Sequence, residues 1–264
     1  MKRDLSNLKR LIKEFGFEDI ENELLQYSRP SIRAETIPVS DEVMIPLGQS
    51  KIGGRPDLPI GLDWSQMPPY KGKSPASLPF IAQFNLSEVK LHDVEDLLPS
   101  RGMLYFFGRL PLASDTKHGQ VIFFDGQNSP LERRDFPDDL TVGYAPCSVT
   151  LTSEVNLDDL YSVNMDRAID YDRLLFASSY QNLPFSKNVN RLLGITHDIP
   201  VDIQKDRSRL VEKNKNNWQL LFQMSSDPNA DMMWWDSGEV CYYIRREDLQ
   251  AGDFEDVCFK VFSS

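Results

Sequence analysis

The chain has 264 residues, 41% of them hydrophobic and 11% aromatic, enough to bury one large core or two smaller ones. Its formal net charge of −11 and isoelectric point near 4.8 exclude association with nucleic acid or anionic lipid through bulk electrostatics; basic proteins or small molecules suit this balance better as partners. No stretch approaches the roughly 18 apolar residues that a membrane-spanning helix requires.

At the N-terminus, Leu5, Leu8, Leu11, Ile12 and Phe15 recur at helical spacing, and Gly16 follows as a stop. Further helical turns run through Ile20, Leu24 and Leu25, so residues 1–29 are expected to form a helical segment that packs through its apolar stripe. Charges run throughout this stretch, and it lacks an apolar run with a small-residue cleavage site. It is read as neither a signal peptide nor an anchor. Cys147, Cys241 and Cys258 are odd in number and widely spaced, against a disulfide framework, and a reducing cytoplasm is the expected setting.

From Pro30 onward the texture changes to short apolar runs bounded by Pro, Gly, Asn and Asp. FIAQF (80–84), MLYFF (103–107), VIFF (121–124), SVTLTSEV (148–155), WQLLFQM (218–224), EVCYYI (239–244) and VCFKVF (257–262) all read as strands. SVTLTSEV alternates apolar against hydroxyl residues, the pattern of a half-solvated antiparallel strand. One helical insertion is expected within 156–182. Strands and ten-residue helices do not alternate regularly, which excludes a doubly wound parallel sheet. The expected class is α+β, mainly antiparallel β and roll-like, with residues 30–264 as one domain.

Spacing suggests that this domain contains two related β units, about 50–155 and 190–262. In the first, Gly54, DLPI (57–60), FIAQF with Gln83, and Gly102 before MLYFF follow one another. In the second the order is Gly194, DIPV (198–201), LLFQM with Gln223, and Gly238 before EVCYYI. Pro59 and Gln83 are 24 residues apart, Pro200 and Gln223 are 23 apart, and the Gln-to-Gly intervals are 19 and 15. One loop absorbs such a difference. Units related in this way would bring Gln83 and Gln223 near a common axis, where clefts often form.

The blocks GGRPDLPIGLDW, LPFIAQFNL, LPSRGMLYFF, RLLG…IQ (191–204), WQLLFQMSSD and WWDSGEVCYYIRREDL resemble those of the YwqG-like family, a bacterial domain of unknown function, over about residues 50–260. The resemblance implies a mainly β, cytosolic protein and supplies no activity. Two positions depart from the pattern: Trp235 stands where a small residue, often Gly, precedes Asp236, and Ser65 follows Trp64 where Pro is common.

Local chemical motifs are sparse. The stretch KIGGRPDLPIGLDW (51–64) has the glycines of a phosphate loop, but Pro56 and Pro59 remove donors and disfavour the helix such a loop opens. Arg55 is left either to bind a carboxylate or phosphate, or to pair with a nearby Asp and stiffen the turn. Trp64 is read as a core plug. His92, His118 and His197 are isolated, so no metal and no cofactor is expected. Asp227, Asp231 and Asp236 in SSDPNADMMWWDSG (225–238) do not follow the spacing of a calcium loop and read as a turn-rich connection. There is no G-x-S-x-G elbow. Ser6 and Ser87, which open S-x-x-K, read as helix caps, and Cys147 as a buried thiol. KDRSRLVEKNKNN (205–217), with five basic residues against two acidic ones, is a solvated loop or a docking patch.

Together these features favour a non-enzymatic binding or protein-interaction module, its partner a basic protein or a small molecule. The alternative is an enzyme, hydrolytic in type, with a dispersed acid and amide site between the two units. The candidate cleft residues are Arg55, Asp57, Gln83, Gln223, Asp227 and Asp236. If Gln83 and its neighbours are fully hydrogen-bonded inside the protein, their role is structural.

Overall fold

In the computed structural model, which describes residues 6–14, 16–26, 28–67, 74–110, 118–126, 129–157, 190–194 and 217–262, the N-terminal periodicity becomes helix α1 (Ser6–Glu14). Leu8, Leu11 and Ile12 are buried on it, and Gly16 ends it at a φ of 74°. A second short helix, α2 (Glu21–Gln26), leads into the strands.

The strands are β1 (Ser28–Pro38), β2 (Lys51–Ile52), β3 (Asp57–Pro59), β4 (Gln66–Met67), β5 (Ala76–Ser77) and β6 (Phe80–Asn85), which runs into helix α3 (Leu86–Val89). Next come β7 (Met103–Gly108), β8 (Gly119–Phe124), β9 (Leu131–Arg133) and β10 (Cys147–Leu157). Beyond these lie β11 (Arg191–Leu192), β12 (Trp218–Ser225), β13 (Glu239–Arg245), helix α4 (Arg246–Ala251) and β14 (Cys258–Phe262). Each of the seven runs expected to be extended forms a strand. β1, with Pro30 and Pro38 in it, is a strand that local composition conceals, because proline is depleted from strands. Of the expected helical insertion, Asn156 and Leu157 finish β10 instead, and the rest lies outside the described residues.

Ten strands form one antiparallel sheet in the order β14-β13-β12-β11-β1-β10-β2-β6-β7-β8. Its centre is the long β1–β10 pair, in register from Ser28 opposite Leu157 to Pro38 opposite Cys147. β10 keeps its half-solvated pattern, with Thr150 and Thr152 exposed and Val149 and Leu151 packed on the core. The sheet curls until its two end strands approach each other. Gly119 of β8 lies against Phe259 of β14, where a Cβ would come within 2.4 Å of the ring. Inside, Phe84, Phe106, Phe222 and Tyr242 pack edge-on, tilted or, for Phe222 on Tyr242, stacked, with centroids 4.6–6.0 Å apart. The Tyr242 hydroxyl donates to the Phe107 carbonyl at 2.9 Å, tying the two arms of the sheet together.

Both faces of β7 are covered, which explains why MLYFF is apolar throughout. Leu104 and Phe106 enter the main core. Met103, Tyr105 and Phe107 point the other way, onto Leu58, Leu78 and Phe80 with Trp64 at the margin. Two small antiparallel pairs, β3–β9 and β4–β5, stand apart from the main sheet. Trp64 is half-buried, its indole donating to the Leu78 carbonyl at 2.8 Å and meeting Phe107 edge-on at 5.7 Å.

The pairings at the inner ends of the two arms follow one pattern. In one arm Lys51 faces Gln83 and Ile52 faces Ala82; in the other Arg191 faces Gln223 and Leu192 faces Phe222. Register shifts next to Ala82 in the first arm and next to Phe222 in the second. Gly53 N then donates to Ile81 O at 2.7 Å, and Leu193 N to Leu221 O at 3.2 Å.

Candidate functional site

Arg55, Asp57 and Gln83 meet in one place. β2 carries Lys51 inward, and the Gly53-Gly54 turn reverses the chain so that Arg55 and Asp57 follow alongside. Gly53 and Gly54 both take left-handed backbone angles, φ 68° and 69°. A Cβ on Gly54 would lie 2.2 Å from Glu42 Oε1, and one on Gly53 2.1 Å from the Ala145 carbonyl oxygen. This loop therefore forms an anion cradle that the chain fills itself. Glu42, on the short 3-10 turn Glu42–Met44, accepts from Arg55 N at 2.6 Å, Arg55 Nε at 2.9 Å and Lys51 Nζ at 3.1 Å. The amides of Gly53 and Gly54 are directed elsewhere, to Ile81 O and Tyr144 O.

Below Glu42 lies Asp57, fully buried. Its Oδ1 accepts from Lys51 Nζ at 3.2 Å and Arg133 Nε at 2.8 Å. Its Oδ2 accepts from Gly48 N and Gln83 Nε2, both at 2.9 Å. Gln83 closes the ring: its Oε1 accepts from Asp57 N at 2.8 Å, and its Nε2 also donates to the Gln49 carbonyl at 2.8 Å. Tyr105 donates its hydroxyl to the Asp57 carbonyl at 2.6 Å. Arg133 spans to the Glu42 and Ile45 carbonyls at 2.8 Å each. Arg55 reaches outward to Asp135 at 2.7 Å, so three cations balance three carboxylates.

Burial alone would raise the pKa of Asp57, but the Arg133 guanidinium, the Lys51 ammonium, the Gly48 amide and Gln83 together hold it below the usual carboxylate value. Glu42 follows the same balance, with burial opposed by Arg55 and Lys51, and is also lowered. Burial lowers Lys51, against the pull of Asp57 and Glu42. Tyr105 is pushed upward by burial and by Asp57. With its carboxylates ionised and its polar atoms engaged, the cluster is equipped to hold chain segments together.

The other three candidates lie elsewhere. Four strands separate β12 from β6, and Gln223 donates Nε2 to Glu239 at 2.5 Å in its own setting. Asp227 accepts from Thr36 Oγ1 at 2.7 Å and Asn190 Nδ2 at 3.0 Å, and caps the turn Pro228–Ala230 through Asn229 N. Asp236 is exposed in the turn after Trp235. At Trp235 itself φ is 50°, a left-handed angle that explains why a small residue would suit the position. Cys147 is buried, and burial pushes its thiol up to about 11. Among the described residues, no group of three or more His, Cys, Asp or Glu is arranged to hold a metal ion, and no helix is long and apolar enough to cross a membrane.

Sequence reasoning singled out Arg55, Asp57 and Gln83 but missed Glu42, Lys51 and Arg133. Lys51 had a signal: a lysine opening a buried strand needs acid partners. Glu42 and Arg133 had none, because they reach the cluster only through the fold.

No curated protein matches the chain. Residues 50–261 match the family described as a domain of unknown function, DUF1963, a span that runs from β2 to β14 and includes both arms of the sheet. The chain belongs to the DUF1963 family of domains of unknown function.

Proposed function

We propose that this protein is a non-enzymatic binding module that recognises a basic protein partner. The observation that carries this reading is the closed ion network: Arg55, Asp57 and Gln83 are engaged with Glu42, Lys51 and Arg133, so their part is to fix the scaffold that presents the surface. The net charge of −11 supplies attraction toward cations. The enzyme alternative needs Asp57, Arg55 and Asp236 gathered around Gln83 and Gln223. The four intervening strands and the separate partners of Gln223 weigh against that grouping.

Within this reading the scaffold is a duplicated β unit, supported by the matched pairing of Lys51–Gln83 with Arg191–Gln223 and the register shift beside each. The DIPV stretch (198–201) of the second unit lies outside the described residues. The matched family is read as the YwqG-like one its blocks resemble. Three buried free thiols support a reducing cytoplasm.

A thermal-shift screen of small metabolites, run beside capture of poly-L-lysine on the immobilised chain, tests the proposal. Capture that weakens with salt, and no metabolite-dependent shift, is expected. A saturable shift with a neutral metabolite and no polycation capture would overturn it.

A further inference from the structure

We infer that one end of the molecule is a docking surface for an amphipathic, Lys/Arg-rich helical segment of another protein. This rests on the binding-module reading and specifies its surface. Three segments, 39–44, 135–146 and 227–238, are joined there. Val39 N donates to Pro146 O at 3.4 Å, and Ala145 N to Ala230 O at 2.9 Å. Cys147 Sγ bonds the Asn229 carbonyl at 3.2 Å, and Tyr144 meets Trp234 edge-on at 5.7 Å.

These segments hold six of the ten exposed large apolar side chains among the described residues: Val43, Met44, Phe136, Val142, Met233 and Trp235. Their concentration on three segments that hydrogen bonds and a ring contact join in space marks an interaction surface, whereas scattered apolar tips would need no explanation. The same segments contain eight carboxylates and no Lys, Arg or His. Glu42 and Asp135 are paired with Arg55, Asp227 is bonded to Thr36 and Asn190, and Asp139 accepts from Ser77 N. Asp41, which accepts from Val43 N at 3.0 Å, and Asp138, Asp231 and Asp236 are exposed on the same segments as the apolar tips. Arg55, paired with Glu42 and Asp135, and Arg134, paired with Glu132, lie at the margin, so the surface is acidic in balance. Apolar tips among exposed carboxylates complement a helix with one apolar face flanked by cations.

Trp235 is the central residue of this surface. It is 47% exposed at a φ of 50°, with Asp231 at 53° and Ser237 at 58° in the same turn. Glycine would occupy this angle without strain, and half the indole contributes no burial, so its place is explained by what it presents. Beside Asp236, its exposed face suits a lysine or arginine side chain.

The test is calorimetric titration of the full chain with a synthetic leucine–lysine peptide of helical amphipathic pattern, with poly-L-lysine as the comparison, for the wild type, Trp235→Gly and Met233→Ser. The wild type is expected to bind the amphipathic peptide at least tenfold more tightly than poly-L-lysine. Trp235→Gly is expected to lose at least fivefold in affinity while its melting temperature stays level or rises. Variants that bind the peptide as the wild type does would overturn the inference and leave the binding-module reading standing. A wild type that binds neither probe would overturn both. Self-association on sedimentation that Trp235→Gly abolishes, without peptide binding, would assign the surface to a second copy and overturn the inference.

Discussion

At Asp57 the chain buries a carboxylate completely and answers it with two cations, one backbone amide and one side-chain amide. Desolvating such groups is costly, and the attraction between them offsets that cost only when the remaining hydrogen bonds are also made. Here they are, which is why removing one member costs more than the pair contributes. Asp57→Asn leaves Lys51 and Arg133 buried against a neutral amide and should lower unfolding free energy by about 3–5 kcal/mol in urea titration. pH dependence follows the same logic. Asp57 and Glu42 have folded pKa values below their unfolded ones, so their contribution is present above about pH 4 and is lost as pH falls through the lower folded values. Asp57→Asn should flatten this acid limb, whereas an unchanged slope would assign the acid sensitivity to other groups.

The turn after β2 links local sequence to tertiary structure. Gly-Gly-Arg-Pro announced special backbone geometry, and Gly53 and Gly54 take it. What the turn encloses was not legible, since Glu42 lies 13 residues before Arg55 and Arg133 lies 76 after Asp57, and no spacing rule connects them. Strands such as FIAQF and MLYFF were readable because burial on one or both faces leaves a compositional record. β1 was not, because its pairing with β10 outweighs two prolines. Gly54→Ala adds a Cβ against Glu42 and Pro146 at a left-handed angle, and should cost about 2–4 kcal/mol by chemical denaturation. A near-neutral result would mean that Glu42 swings away freely and that the cradle is not a fixed part of the fold.

Over the whole molecule, one curled sheet wraps an aromatic core, and the closure of β8 on β14 leaves Phe259 seated over Gly119. Polar residues that looked like a shared cleft are divided: Arg55, Asp57 and Gln83 are bonded in one arm, Gln223 bonds Glu239 in the other, and Asp227 reaches Thr36 of the central strand β1. The sequence carried the order of strands and the acidic balance. It did not carry the gathering of 39–44, 135–146 and 227–238, which are far apart along the chain and meet only when β1 and β10 pair and the turn after β12 folds back on them. Two roles are therefore separate: the ion network holds the fold, and the acidic, apolar end is the surface proposed for the partner. Gln83→Leu separates them most directly, because Gln83 belongs to the network and bonds Asp57 and the Gln49 carbonyl, both outside the three docking segments. Measured by calorimetry against the leucine–lysine peptide, this variant should bind within about twofold of the wild type, although its melting temperature falls. A tenfold loss of affinity with an unchanged melting temperature would contradict this division and return Gln83 to the binding site.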